Sequence, residues 1–258
     1  MQPEGFTIHH EVYVPDRLRP HSGFENNYIE LRRREQRLYN DEELLQLPLV
    51  RAGHVHRAEW QLRKRSCNRL LYYLEKKEKP LRILEVGCGN GWLSHRLAAL
   101  PGSKLIGLDI NFTELQQAAR VFSHIPNLLF MYGDIEAGLL DDLSFDIILF
   151  ASCIQYFPSA PGIVASSLRL VKPGGEIHIL DSPFYKPAAR AGARKRTAAY
   201  FRKMGFPAMA DHYYHHSLGE LELFGYKFLY RPSVMKQYFL KNENPFPWIC
   251  IRRRPGMI

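Results

Sequence analysis

The chain has 258 residues and 30.0 kDa, with 46% apolar, 24% charged and 12% aromatic residues. These are values of an ordinary globular protein and exclude wholesale disorder, a collagen-like repeat and a disulfide scaffold. The net charge of +9 is unevenly spread: residues 1–80 carry 15 basic and 12 acidic side chains, residues 81–180 carry 6 and 9, and residues 181–258 carry 14 and 5. An acidic middle therefore precedes a basic end, which suits an anionic substrate, a nucleic acid or a phospholipid surface, or simply keeps the surface solvated. No run of about 18 apolar residues occurs, so no membrane span is expected. Four scattered cysteines, Cys67, Cys88, Cys153 and Cys250, form no C-x-x-C pair. They argue for a reducing, cytoplasmic setting and against a zinc site.

Residues 1–79 read as an amino-terminal arm and helix. Met1-Gln2-Pro3-Glu4 lacks the basic-then-apolar pattern of a secretory signal. Up to residue 50 the arm is irregular, apart from a short helical stretch near Tyr28–Leu38. Val55–Lys79 places Ala58, Leu62, Leu70, Leu71 and Leu74 at helical spacing, and Pro80 ends that helix. From there, strand runs at Leu81–Val86, Lys104–Asp109, Leu128–Tyr132, Phe145–Ala151 and Glu176–Asp181 alternate with helical segments near Trp92–Leu100, Thr113–Ser123 and Ser159–Val171. That alternation predicts parallel βαβ units with helices on both faces of the sheet. A basic helix over Pro187–Gly205, the cluster His212-Tyr213-Tyr214-His215-His216 and a helix near Ser217–Phe224 follow. Two closing strands, Lys227–Arg231 and Trp248–Arg252, are spaced to pair antiparallel at a sheet edge. Residues 80–258 thus form one α/β domain with an insertion at 182–216.

The most informative segment is Ile83-Leu84-Glu85-Val86-Gly87-Cys88-Gly89-Asn90-Gly91-Trp92-Leu93. A buried strand runs into three glycines at alternate positions, and a helix begins. The glycines permit positive φ and close approach of a ligand to the backbone. The helix start offers N–H groups to a carboxylate or phosphate. The second strand ends in Asp109, placed to accept ribose hydroxyls, and the third in Gly133-Asp134-Ile135, where a carboxylate and a backbone N–H suit adenine. Each acid alone is ordinary turn chemistry; Glu85, Asp109 and Asp134 together would face one crevice. A dinucleotide turn needs glycine where Trp92 stands, and no G-K-[ST] follows for a P-loop. Glu85 and the acidic middle suit a zwitterionic amino acid beside a positive sulfonium better than a pyrophosphate.

These residues resemble class I S-adenosylmethionine-dependent methyltransferases, with a methyltransferase type 11-like domain. The resemblance covers roughly residues 81–181. It rests on the glycine turn, Leu108-Asp109-Ile110, Gly133-Asp134-Ile135, Phe145-Asp146-Ile147-Ile148 and Leu170-Val171-Lys172-Pro173-Gly174-Gly175-Glu176. It implies a Rossmann-like, seven-stranded, mostly parallel sheet with an antiparallel last strand, preceded by an amino-terminal helical arm. It also implies that Glu85, Gly87, Cys88, Gly89 and Gly91 hold the methionine part of S-adenosylmethionine. Asp109, followed by Ile110, would take the ribose, and Asp134 with Ile135 the adenine. Ala151-Ser152-Cys153-Ile154-Gln155-Tyr156 would line the site beside the reactive methyl.

The implied activity is in-line methyl transfer to an O, N or C nucleophile of a small or medium-sized metabolite, with an anionic group on it suiting the basic end. RNA or protein acceptors, a silent S-adenosylmethionine-binding regulator and a nicotinamide-dependent dehydrogenase are the alternatives. Transfer to base amino groups is disfavoured, because Ala151-Ser152-Cys153-Ile154 replaces the Asn/Asp-Pro-Pro-aromatic turn. Cys153 lacks a Pro-Cys setting and reads as a small buried residue. His212, His215, His216 and Tyr156 are the candidate catalytic residues, or else parts of a packed aromatic cap. No metal ligand set is evident. The segment His54–Trp60 either closes over the cofactor or starts a helix packed on the sheet. The basic helix (Arg190, Arg194, Lys195, Arg196, Arg202, Lys203) either grips phosphates or faces solvent.

Overall fold

The computed structural model describes residues 5–17, 22–233 and 243–254; Met1–Glu4, read above for a secretory signal, lie outside the described residues. The chain starts with two short strands, β1 (Phe6–His9) and β2 (Val12–Pro15), joined as an antiparallel hairpin. His10 and Glu11 between them both hold positive φ, 49° and 64°, the backbone of a tight two-residue hairpin. Helices α1 (Ser22–Arg34), α2 (Asp41–Gln46) and α3 (Arg57–Glu75) complete the amino-terminal region. Helix α2 starts where Asn40 and Glu43 form a reciprocal capping box, Glu43 N–H donating to Asn40 Oδ1 at 2.8 Å and Asn40 N–H to Glu43 Oε2 at 3.1 Å.

Strands and helices then alternate, except that only a 3₁₀ turn at Ile135–Ala137 separates β5 from β6: β3 (Arg82–Val86), α4 (Trp92–Leu97), β4 (Lys104–Asp109), α5 (Phe112–Phe122), β5 (Leu128–Tyr132), β6 (Phe145–Ala151), α6 (Ala160–Leu170) and β7 (Val171–Leu180). Helix α7 (Pro187–Lys203), 3₁₀ turns at Pro207–His212 and Leu218–Phe224, and strands β8 (Lys227–Tyr230) and β9 (Trp248–Arg252) close the chain. The sheet has nine strands among the described residues, in the order β1-β2-β5-β4-β3-β6-β7-β9-β8. From β2 to β7 neighbouring strands are parallel; β9 runs antiparallel between β7 and β8.

The fold class is as expected, with two corrections. The sheet has nine strands rather than seven, because the β1–β2 hairpin of the arm joins its edge beside β5. The expected helix near Ser217–Phe224 is a 3₁₀ segment. Strand β7 also begins early: Val171 pairs with Phe145, the register then shifts, and regular pairing resumes at Glu176 with Ile147.

Period-two alternation puts Ile83 in the apolar cluster beneath α3, α4 and α5, and Leu84 and Val86 in the cluster beneath α6. Glu85, between them, faces the α4 side and reaches Ser94. The chain leaves β3 toward β4 and β5 on one side and later returns to β6 and β7 on the other. The carboxyl ends of β3, β4 and β6 therefore flank a topological switch point, where open α/β sheets bind ligands. A third small cluster, Leu31, Phe201 and Met209 with Tyr28 and Tyr213 against it, ties α1 to α7.

Candidate active site

A cavity of ≈ 980 Å³ opens at that switch point. Its floor is the glycine turn. Gly87, Gly89 and Gly91 all hold positive φ (69°, 54° and 74°), so each occupies a conformation that favours glycine. A Cβ on Gly87 would meet Cys153 Cβ at 2.7 Å, and one on Gly91 would lie 2.6 Å from the Phe130 ring. Gly87, Cys88 and Gly89 line the cavity; Gly91 does not, and instead caps α4 against Phe130.

Three strand-end acids meet there. Glu85, Asp109 and Asp134 all line the cavity, as do Ile110, Ile135, Ala151 and Ser152. Asp109 Oδ2 accepts the Gly89 N–H at 2.7 Å and Oδ1 the Asn111 N–H at 2.8 Å. Asp134 Oδ1 accepts the Glu136 N–H at 2.9 Å. Burial pushes Glu85 up to about 8, even though its Oε2 accepts the Ser94 hydroxyl. Burial likewise raises Asp109, against the backbone N–H groups that oppose the shift, and lifts Glu114 to about 7 despite Arg32. Buried carboxylates held this far toward neutral suit a ligand that brings its own positive charge.

Ser152 and Asp181, at the ends of the paired strands β6 and β7, both hold positive φ (58° and 53°). Neither is glycine, and the strain is held by Ser152 N–H on Leu180 O (3.0 Å) and Ser152 Oγ on Asp181 O (2.9 Å). Ser66 Oγ (2.7 Å) and Asn244 Nδ2 (2.5 Å) both donate to Asp181 Oδ1. Cys153 is buried with its thiol 3.0 Å from Val86 O, a small packed residue.

The roof comes from the amino-terminal region and α7, a contribution with no local motif. Tyr28, Leu31, Arg32 and Glu35 from α1 and its exit join Arg37, Tyr39, Glu59, Trp60 and Arg63 in the wall. Glu25 fastens α1 over the site by accepting Thr113 N–H (2.7 Å) and Thr113 Oγ–H (2.9 Å) at the start of α5. Within His54–Trp60 only Glu59 and Trp60 line the cavity. His56 Nε2 lies 2.6 Å from Glu35 O, and Trp60 Nε1 donates to Tyr39 OH at 2.6 Å while meeting Trp92 edge-on at 5.2 Å. This is a helix start packed on its neighbours. Trp92 itself lines the cavity.

Tyr156 lines the cavity, but the three candidate histidines do not. Past the Pro207–His212 turn, Tyr213 takes the cavity side. His215, buried, bonds Thr197 Oγ1 through Nε2 at 2.9 Å, and His216, also buried, lies with Nε2 3.0 Å from Phe157 O. His212 is exposed on the turn. Of the basic helix, Arg190 pairs with Glu220 at 2.7 Å and Arg196 reaches the cavity rim.

Among the described residues one group has metal-ligand chemistry, buried Glu176, His178 and Cys250, with ligand atoms within 4.8 Å of one another. Hydrogen bonds already fill it. Trp248 Nε1 donates to His178 Nδ1 (3.1 Å), which leaves the proton on Nε2, facing Glu176 Oε2 at 3.1 Å. Lys77 Nζ (2.8 Å) and Tyr73 OH (3.1 Å) take the same carboxylate oxygen.

Fold and site together define a Rossmann-like α/β domain with a cavity at the switch point of its sheet. Residues 83–175 match the sequence profile of a family described as a methyltransferase domain. Malonyl-[acyl-carrier protein] O-methyltransferase of Halalkalibacterium halodurans is 25% identical over 147 residues, 54% of this chain and 54% of that protein. Phthiotriol/phenolphthiotriol dimycocerosates methyltransferase of Mycobacterium leprae is 29% identical over 155 residues, 60% of this chain and 54% of that protein. The chain thus spans about half the length of these curated relatives. In fold it is similar to an S-adenosylmethionine-dependent methyltransferase of Mesorhizobium loti, with a TM-score of 0.53, 18% identity, and 76% of this chain and 98% of that one covered. Over residues 83–175 the chain is thus similar to a methyltransferase domain, and its Rossmann-like fold agrees with that similarity. No helix among the described residues is long and apolar enough to cross a membrane.

Proposed function

We propose that the chain is an S-adenosylmethionine-dependent methyltransferase acting on a small or medium-sized metabolite. One arrangement carries the reading: the glycine turn, Glu85 and Asp109 converge on one cavity inside the segment that matches the family. Glu85, desolvated and bonded among the described residues only to Ser94, is the partner for an ammonium group. Gly87–Gly89 would receive the amino-acid tail. Asp109 would accept ribose hydroxyls through the lone pairs its backbone partners leave free, and Asp134 with Ile135 N–H would hold the adenine.

When bound, S-adenosylmethionine would supply a methyl carbon on a positive sulfur, open to in-line attack by an O, N or C nucleophile, with the thioether sulfur as the leaving group that keeps the carbon–sulfur electron pair. The protein's share is alignment and exclusion of water, worth about 7–11 kcal/mol when geometry is good. Helix α1, Trp60 and Trp92 supply the cover. Segment 182–216 and α1 together form the acceptor side, with Tyr156, Tyr200 and Tyr213 on its wall. The malonyl-[acyl-carrier protein] relative is named as an O-methyltransferase, which agrees with an oxygen nucleophile. The cysteines are all unpaired and buried, in keeping with a reducing, cytoplasmic setting.

Calorimetric titration with S-adenosylhomocysteine and with NADH tests the donor assignment. Saturable binding of the first alone is expected; binding of NADH alone would move the chain to the dehydrogenase class. Mass spectrometry of small molecules carried through purification then searches for the acceptor. Salt-sensitive RNA binding at the basic end, or no turnover with any acceptor, would favour the RNA-modifying or regulatory alternative.

A further inference from the structure

Among the described residues four arginines line the cavity, and they are not equivalent. Arg37 and Arg63 are both spent on Glu59: Arg37 Nη2 lies 2.7 Å from Oε2, and Arg63 Nε and Nη2 both lie 3.0 Å from Oε1. Arg196 is exposed at the rim. Arg32 differs from all three. Its nearest carboxylate oxygen is Glu35 Oε2, 3.9 Å from Nη1, and Glu35 is itself engaged by Arg37 Nε at 3.3 Å and by the Tyr200 hydroxyl. Arg32 Nε is buried and has no hydrogen-bond partner among the described residues. A guanidinium N–H left unmade in a desolvated place is costly, and the group that relieves it best is an anionic oxygen.

The surroundings say what that oxygen is attached to. The Arg32 guanidinium sits 5.5 Å from the Tyr28 ring centre. Tyr28 meets Tyr156 edge-on at 6.0 Å, Tyr156 meets Tyr213 edge-on at 5.7 Å, and Phe201 packs 6.0 Å from Tyr213. This wall of ring edges and faces accepts a flat, weakly polar body. Resting on the donor assignment above, we propose that Arg32 is a specificity-determining residue that binds an anionic oxygen of the methyl acceptor, and that the acceptor is a planar carboxylate or acidic hydroxyl compound seated against Tyr28, Tyr156 and Tyr213.

The test uses 4-hydroxybenzoate and its neutral isostere 4-hydroxybenzamide, titrated into the full chain with and without S-adenosylhomocysteine, for wild type and Arg32→Gln. The carboxylate is expected to bind wild type about tenfold more tightly than the amide, and Arg32→Gln to bring the two within about twofold. S-adenosylhomocysteine affinity and melting temperature should stay near wild type in the variant, which controls for folding. Equal binding of both probes to wild type, no saturable binding of the carboxylate, or a preference that survives Arg32→Gln would overturn the assignment. A large loss of S-adenosylhomocysteine affinity in the variant would also overturn it, since Arg32 would then serve the donor. Failure of wild type to bind S-adenosylhomocysteine at all defeats the donor reading instead, while the carboxylate preference of the unliganded protein still reports on Arg32.

Discussion

Asp109 at the end of β4 accepts the backbone N–H of Gly89 at 2.7 Å, so the carboxylate proposed to read the ribose also pins the middle of the glycine turn. Asp109→Ala is therefore expected to weaken S-adenosylhomocysteine binding by about 1–3 kcal/mol, the cost of buried polar partners left unmade. Isothermal calorimetry measures it, and affinity equal to wild type would remove the ribose assignment.

The two glycines of the family motifs that stand in different surroundings should respond differently to alanine. Gly91 holds φ at +74° and its added Cβ would press on Phe130 and Ala118; Gly174 holds φ at +78° with nothing within 4 Å. Gly91→Ala should lose about 1–3 kcal/mol from overpacking in addition to about 1–2 kcal/mol of left-handed strain. Gly174→Ala should show the strain alone. Urea denaturation of both variants gives the comparison, and equal losses would contradict the packing around Gly91.

Glu85 links the site to pH. Burial raises its carboxyl from 4.5 to about 8, so between those values the folded chain keeps a proton that the unfolded chain has lost. The folded state binds more protons there, and stability falls as pH rises through that window. Glu114, raised to about 7, adds to the same slope. Glu85→Gln should flatten the decline in melting temperature from pH 5 to 8. A cationic ligand beside Glu85 should also expel its proton at pH 7, read as a binding enthalpy that changes with the ionisation enthalpy of the buffer. No buffer dependence would separate Glu85 from the bound donor.

The clasp of α1 rests on Glu25, whose carboxylate receives both the backbone and side-chain donors of Thr113. Glu25→Ala removes the acceptor from an N-terminal turn of α5 and should cost about 0.5–2 kcal/mol, as loss of a cap does. It should also speed amide hydrogen exchange in residues 25–34. Unchanged exchange there would mean that the cluster of Leu31 with Phe201 and Met209 holds α1 without it.

Much of the domain was legible along the chain because its determinants are local. A strand buried on both faces is a continuous apolar run, so Lys104–Asp109, Leu128–Tyr132 and Phe145–Ala151 were bounded as they fold. The turn and the acids that follow each strand lie next to those runs, and most of the proposed donor-site residues reach one cavity. The β1–β2 hairpin stayed hidden, since its strands are four residues long and His10-Glu11 stands where an Asn-Gly signature would have marked the turn. The choice between a catalytic and a packed role for the histidines was not legible, because a cluster in sequence says nothing about which side of the backbone each ring takes; Tyr213 faces the cavity, whereas His215 and His216 bond Thr197 and Phe157.

What the amino-acid order alone determined is the frame of the proposed donor half of the site: alternating strands, glycines that no other residue could replace without strain or collision, and acids at strand ends. What only the tertiary structure decided is the wall proposed for the acceptor, where Arg32 and Tyr28 meet Tyr156 and Tyr213 across more than a hundred intervening residues. Such contacts follow from how α1 and α7 pack against each other over the sheet, and side-chain packing between distant segments leaves no periodicity or spacing in the chain to read.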